Sequence, residues 1–348
     1  MQKVLILGVN GFIGHHLTRA IIETTDWQVF GMDMQNDRVA PWLDHPRFHF
    51  FEGDITINKE WIEYHVKKCD VVLPLVAIAT PATYVRNPLR VFELDFEANL
   101  PIVRQCVKYG KRVVFPSTSE VYGMCDDAEF DPAASNMVYG PIDKPRWIYA
   151  CSKQLMDRVI HAYGLQDGLD YTLFRPFNWI GPGLDNLNTP KEGSSRLVTQ
   201  FLGHIVRGEA MKLVDGGHQR RAFTYVDDGI GALMKILGRN DERTRRKIYN
   251  IGNPANNHSV REVAQMMLEI AATMPEYRAG AAKVQLIETT SAAYYGGGYQ
   301  DVSARVPKID NTVAELDWRP GVTMRDALVR IFEFYRDHLD SATHLNDD

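Results

Sequence analysis

The chain has 348 residues, 45% of them hydrophobic and 24% charged, and a formal charge of −5. That length suits a large α/β unit with a second lobe, and the composition is that of an ordinary globular protein. The acidic balance argues against a nucleic-acid binder, so basic groups such as Arg243-Thr244-Arg245-Arg246-Lys247 read as a solvated face.

The first predicted element in chain order is "KVLILG", residues 3–8, an apolar run without alternation, as expected for a strand covered on both faces. It starts at Lys3, which leaves no room for a signal peptide. A glycine-rich turn follows, Gly8-Val9-Asn10-Gly11-Phe12-Ile13-Gly14, and then a helical pattern through Leu17, Ala20 and Ile21. Further strands are predicted over 27–33, 48–54, 69–77, 112–118 and 170–177, with helices over 58–68 and 94–108 among the segments between them. The apolar run 71–79 contains Pro74 and is far shorter than the ~20 residues of a membrane span. Strand alternating with helix predicts an α/β fold with a Rossmann doubly wound parallel sheet.

After residue 178 the texture changes. "NWIGPGLDNLNTPKEGSSR" reads as a long loop, and a helix is predicted over 197–207. "AMKLVDGGHQRRAFTYVDD" follows, and within it "KLVDGGHQRR", residues 212–221, taken alone reads as a hairpin with a Gly-Gly turn. Residues 246–254 look like a strand returning to the sheet, and the chain from Ser259 onward looks mainly helical, ending in a helix over 325–338. The expected organisation is a dinucleotide-binding domain over 1–178, to which 222–254 returns. Residues 179–221 and 255–348 would form a smaller, interleaved C-terminal substrate lobe. Four cysteines without CxxC spacing suggest reduced thiols, and the eleven histidines show no metal-ligand spacing. A cytoplasmic protein without metal or membrane insertion is expected.

The glycine turn suits a nucleotide: Gly8 for a tight turn, Gly11 for close approach of a pyrophosphate, Gly14 for helix–strand packing. Asn10, Phe12 and Ile13 complete it. Asp33 follows Gly14 by 19 residues, where a carboxylate accepts from ribose hydroxyls and repels a 2′-phosphate, favouring NAD over NADP. Asp54 and Ile55 close the third strand and suit either an adenine site or an ordinary turn. Tyr149 and Lys153, four apart on a helix, share one face, and a lysine beside a phenol lowers its pKa. Thr118 precedes Tyr149 by 31 residues and is placed to bond the same substrate hydroxyl. Glu120 ends the strand "RVVFPST" two residues later, where a charge in a dry pocket needs a reason.

With these residues the chain resembles the extended short-chain dehydrogenase/reductase family of nucleotide-sugar enzymes over nearly its whole length. "FPSTSEVYGMC", "KPRWIYACSKQLMDRVI", "FRPFNWIGPGLDNLN" and "YYGGGYQD" carry the likeness, which is strongest to the decarboxylating UDP-glucuronate dehydrogenases. The formyltransferase domain that precedes the equivalent domain in such an enzyme is absent from this sequence. The resemblance implies oxidation of UDP-glucuronate at C4 by NAD, with Thr118, Tyr149 and Lys153 catalytic. It makes Glu120 a proton acceptor at decarboxylation and Arg305 the proton donor. Ala79, Tyr84, Ser119, Arg146, Asn178 and Tyr299 match substrate contacts. The segment 212–221 matches one that wraps the uridine diphosphate, with Lys212, Arg220 and Arg221 supplying positive charge. Ser119 stands where related 4,6-dehydratases carry an aspartate for water loss. The resemblance further implies a place in lipid A modification, and a homo-oligomer paired through the Tyr149 helix, to which Leu155, Val159 and Ile160 could contribute. A UDP-xylose synthase that reduces the ketone again, and a non-catalytic NAD-binding regulator, stay open as alternatives.

Overall fold

The computed structural model describes residues 1–187, 196–295, 300 and 302–339. Seven strands form one sheet: β1 (Lys3–Leu7), β2 (Gln28–Asp33), β3 (Phe48–Glu52), β4 (Val71–Pro74), β5 (Arg112–Pro116), β6 (Tyr171–Pro176) and β7 (Lys247–Ile251). All pairings are parallel, in the order β3-β2-β1-β4-β5-β6-β7. The strand order reverses between β1 and β4, so a crevice opens beyond their C-terminal ends.

The unalternated runs are explained by two cores, one on each face of the sheet. Val4 and Ile6 pack into one cluster, Leu5 and Leu7 into the other, and all four are 0% exposed. Each such side chain contributes about 1.5–3 kcal/mol by burial. Helix α1 (Phe12–Thr24) and α6 (Val226–Leu237) pack together, and their apolar residues share the first core. Helices α2 (Lys59–Lys68) and α3 (Leu100–Tyr109) contribute to the second core, as does α4 (Trp147–Gln166). Helix α5 (Leu197–Arg207) stops at Gly208, whose φ of 65° is left-handed, and α7 (Val260–Thr273) starts with a Ser259–Glu262 capping box. The chain ends its described part in α8 (Met324–Arg336).

Three expectations are corrected. The helix expected over 94–108 is interrupted: a π turn, Glu93–Glu97, separates α3 from the short helix Pro88–Phe92. That wide turn carries Asp95 inward, where its carboxylate accepts from Ile78 N at 2.8 Å. The expected Gly-Gly hairpin does not form. Met211–Val214 pairs in parallel with Leu286–Thr289, while Arg220–Ala222 pairs with Asn257–Ser259 and Ala304–Arg305. The cause is tertiary: a distant strand offers backbone partners that a local turn would otherwise supply. The region after Ser259 is therefore less uniformly helical than its pattern reads. Among the described residues no helix is long and apolar enough to cross a membrane.

Candidate active site

The turn after β1 is a cradle made of backbone. Gly8 takes φ +88°, a left-handed conformation, and a Cβ at Gly14 would lie 2.4 Å from the Gly8 carbonyl oxygen. The first turn of α1 carries no capping side chain and no acidic residue. Its N–H groups are therefore available to a phosphate, which the helix dipole also favours. A cavity of about 660 Å³ opens at this turn, with Gly8, Gly11, Phe12, Ile13 and Gly14 on its wall. This cradle fits a dinucleotide pyrophosphate.

Asp33 and Asn10 stand behind the cradle rather than on the cavity wall. Asp33 accepts from Asn10 N at 2.9 Å and Met34 N at 2.8 Å. Burial pushes its carboxyl up, and the Asn10 N–H opposes that shift. The Asn10 side chain donates to Asp37 at 2.7 Å and accepts from Arg38 N at 2.9 Å, tying the turn to the segment after β2. Asp54 accepts from Thr56 N and Oγ1, both at 2.7 Å, and these bonds hold its carboxyl low. Ile55 lines a separate groove of about 270 Å³ with Ile62, Ala98 and Ile102. Neither Asp54 nor Ile55 reaches the main cavity wall.

Opposite the cradle, α4 presents Tyr149 and Lys153, both buried and both on the cavity wall. Lys153 Nζ donates to Pro116 O at 3.1 Å, which docks the helix on the end of β5. Thr118 lines the same wall, and its hydroxyl holds the Tyr149 phenol down against the effect of burial. Tyr84 stacks on Tyr149 with ring centroids 4.7 Å apart and planes 6° from parallel. The electrostatics differ from the simple expectation. Burial pushes the Tyr149 hydroxyl well above the usual tyrosine range, Asp95 and Glu120 add to the rise, and Thr118 and Arg196 oppose it. Burial pulls the Lys153 ammonium down, while Asp95 and Asp157 pull it up. Burial is the largest influence on both groups, where the spacing led one to expect the charge of the lysine to dominate.

Glu120 does not point to open solvent. Its backbone N donates to Thr118 Oγ1 at 3.2 Å in the short turn Ser119–Tyr122. Its carboxylate lies 3.1 Å from Arg146 Nη2 and 3.4 Å from Arg305 Nη1. Glu120, Arg305, Ser119, Ala79 and Asn178 all line the same cavity as Tyr149. Asn178 has φ 41°, a left-handed conformation that asparagine tolerates better than most residues, and its side chain donates to Ala222 O at 3.2 Å.

Other expected residues are not gathered there. Arg146 lies behind Glu120, off the cavity wall, with its guanidinium 4.4 Å above the Trp147 ring. Lys212, Arg220 and Arg221 are also off that wall. Arg220 Nη1 lies 3.2 Å from Glu262, and Arg221 Nη1 donates to Val302 O at 2.8 Å. Both arginines stand on the middle strand of the three-stranded sheet, and their side chains reach partners beside it. Tyr299 lies outside the described residues.

The cavity also contains residues that motif reading did not find. Arg38 and Arg196 line it, and Arg196 grips Asp185 through Nε at 3.1 Å and Nη2 at 2.8 Å. Asp95 is 0% exposed and burial lifts its carboxyl to about 6, against the pull of Lys153. Its one sequence signal is Asn99, four positions on, since two polar residues at that spacing share a helical face. Behind Lys153, Ser117 donates to Asp157 at 2.6 Å, and Arg175 bridges Asp157 at 3.0 Å and the Tyr122 hydroxyl at 2.9 Å.

The family model described as "NAD dependent epimerase/dehydratase family" matches residues 4–252. Among solved structures, the PbgP3 protein from Burkholderia pseudomallei is 70% identical, with 98% of each chain covered and a TM-score of 0.89. UDP-glucose 4-epimerase from Thermotoga maritima is 22% identical, with 97% of this chain and 100% of that one covered and a TM-score of 0.78. A UDP-glucuronic acid 4-epimerase mutant from Bacillus cereus, in complex with UDP-4-deoxy-4-fluoro-glucuronic acid and NAD, is 18% identical. It covers 97% of this chain and 100% of its own, with a TM-score of 0.80. At these lower identities the likeness is one of fold.

Proposed function

The chain belongs to the NAD dependent epimerase/dehydratase family, and we propose that within it this protein is a cytoplasmic, decarboxylating UDP-glucuronate dehydrogenase. The nearest counterpart by resemblance is the dehydrogenase domain of the polymyxin-resistance protein ArnA. The product on this reading is UDP-4-keto-pentose, formed with CO₂ and NADH. One observation carries it: Glu120 and Arg305 form an ion pair on the same cavity wall as Tyr149, Lys153 and Thr118. By the resemblance, simple 4-epimerases usually have no carboxylate at the Glu120 position, and Ser119 replaces the aspartate that 4,6-dehydratases use as the acid for water loss.

The glycine turn and the first amides of α1 would hold the pyrophosphate, with Asp33 next to the adenosine ribose. NAD⁺ supplies the acceptor for the hydride that leaves C4. Tyr149, as the phenolate, takes the C4 hydroxyl proton, positioned by Thr118, with Lys153 and the positive charge that NAD⁺ would bring to the cavity opposing the rise that burial gives the phenol. The resulting ketone is β to the C6 carboxylate, so the C5–C6 bond can break with its electrons passing to the C4 oxygen. CO₂ departs and C5 gains a proton. We assign the substrate carboxylate to Arg305 and the proton handling to the Glu120–Arg305 pair. On this reading residues 1–178 with 222–254 serve the cofactor, and the remaining segments serve the sugar nucleotide. We further propose a homo-oligomer formed through α4.

The test is to mix pure protein with NAD⁺ and UDP-glucuronate, follow NADH absorbance and identify products by NMR. NADH and CO₂ in equal amounts with the 4-keto-pentose are expected. UDP-xylose without net NADH would assign the protein to the xylose-forming enzymes instead, and no turnover would overturn the reading.

A further inference from the structure

Asp157 follows Lys153 by four positions, so the two lie on one face of α4, and both are buried. Lys153 Nζ donates to Pro116 O at the end of β5, at 3.1 Å. The next residue, Ser117, is buried and donates to Asp157 Oδ2 at 2.6 Å. The residue after it is Thr118, on the cavity wall with Tyr149. Arg175 of β6 lies 3.0 Å from the same Asp157 oxygen and donates through Nη1 to the Tyr122 hydroxyl at 2.9 Å. Among the described residues, Asp157 Oδ1 is buried and takes no hydrogen bond. An ionised oxygen without a donor is costly to bury, and the Lys153 charge one helical turn away offsets part of that cost.

From this arrangement we infer that Asp157 is a positioning residue for Lys153 in the dehydrogenation step. Through Ser117 it clamps the end of β5 onto α4, and its negative charge supports the lysine ammonium. The inference rests on the dehydrogenation half of the reading above and holds for either fate of the ketone. Pro116, Ser117 and Thr118 are consecutive, so fixing the middle residue fixes what its neighbours present to Lys153 and Tyr149. Burial pulls the Lys153 ammonium down, and Asp95 and then Asp157 oppose it. The charged and titratable groups around the lysine are Asp95 from the π turn, Tyr149 and Asp157 from α4, and Arg175 of β6 beyond Asp157. Glu120 and Arg305 line the same cavity. Without the Asp157 charge, Asp95 alone of these two carboxylates holds the ammonium, which then loses its proton at lower pH.

The experiment compares Asp157→Asn and Ser117→Ala with wild type in single turnovers with NAD⁺ and UDP-glucuronate, across a neutral-to-alkaline pH series. The NADH burst is read by absorbance, NAD⁺ affinity by calorimetry and folding by thermal melts. In Asp157→Asn the burst at neutral pH should slow about tenfold, short of the factor of about 10² or more that loss of the acid–base group itself brings. Its alkaline fall in rate, where Lys153 loses its proton, should begin at lower pH than in wild type. Ser117→Ala loosens the clamp and keeps the charge, so its burst should slow while the alkaline limb stays in place. A folded Asp157→Asn enzyme with the wild-type burst and limb would overturn the inference. A burst slowed equally at every pH would reduce Asp157 to a packing role and also overturn it. Should Asp157→Asn fail to fold, with Arg175 left unpaired, Asp157→Glu and Ser117→Ala decide. Both keep the charge, so a slowed burst with an unmoved limb is expected, and an unslowed burst in both would overturn the inference. Wild-type protein that binds NAD⁺ but forms no NADH with UDP-glucuronate would overturn the functional reading, and this inference with it.

Discussion

Two side chains on one cavity wall are assigned to consecutive steps, and substitution can separate them. Glu120→Gln should keep NAD⁺ and UDP-glucuronate binding, because the glycine cradle is untouched, while CO₂ release falls about 10²-fold or more. Tyr149→Phe should stop earlier, with no NADH formed in a single turnover, and the two losses should not add in the double variant. Near-normal CO₂ release by Glu120→Gln would count against its role. Asp95 gives a prediction about pH. Its carboxyl is raised from 3.8 to about 6 by burial. The protonated form therefore contributes stability below the unfolded value, and that contribution is lost as the pH rises through about 6. Asp95→Asn removes the cost of the buried charge. Its stability relative to wild type should improve by up to about 3 kcal/mol between pH 4 and 7, a shift of two units at 1.4 kcal/mol each. Urea unfolding at the two pH values checks this, and a pH-independent difference would show that Asp95 does not carry the shift.

Among the elements, the β1–α1 connection was the most legible. Its glycines are demanded by the backbone itself, since a Cβ at Gly14 would lie 2.4 Å from one carbonyl oxygen and 2.6 Å from another. Gly14→Ala must push the first turn of α1 away from β1. It should cost several kcal/mol, the range of an overpacked site, and weaken NAD⁺ binding at least tenfold. Thermal melts with and without NAD⁺ measure both effects. The helix expected over 94–108 shows the opposite case. Its periodicity is helical throughout, but the π turn at Glu93–Glu97 answers to Ile78 N, a partner that no window of sequence contains. The Gly-Gly segment failed for the same reason, because Leu286–Thr289 lies far along the chain from Met211–Val214.

For the molecule as a whole, the outer face of α4 bears on assembly. Ile160 is 0% exposed and belongs to the core, whereas Leu155 is 42% exposed and Leu165 is 69% exposed. The pairing proposed through this helix would cover such leucines. Wild-type protein should sediment as a dimer or larger at micromolar concentration, and Leu155→Glu with Leu165→Glu should shift it to monomer. A monomeric wild type would refute the pairing.

Strand and helix alternation, the glycine turn, Thr118 and the Tyr149–Lys153 spacing were determined by the sequence alone, because each depends on neighbours within a few residues. Burial on both faces leaves an apolar run, a tight turn demands glycine, and four residues make one helical turn. What only the tertiary structure decided is how charges meet. Arg146 and Arg305 lie 26 and 185 positions from Glu120 along the chain. Their ion pairs exist because β5, α4 and the short strand Ala304–Arg305 end at one cavity. The same closure removed water from Tyr149 and Lys153, so that desolvation sets their titration where spacing predicted a charge effect. It also turned Arg220 toward the Glu262 carboxylate and Arg221 toward the Val302 carbonyl, destinations that positive charge in a motif does not specify.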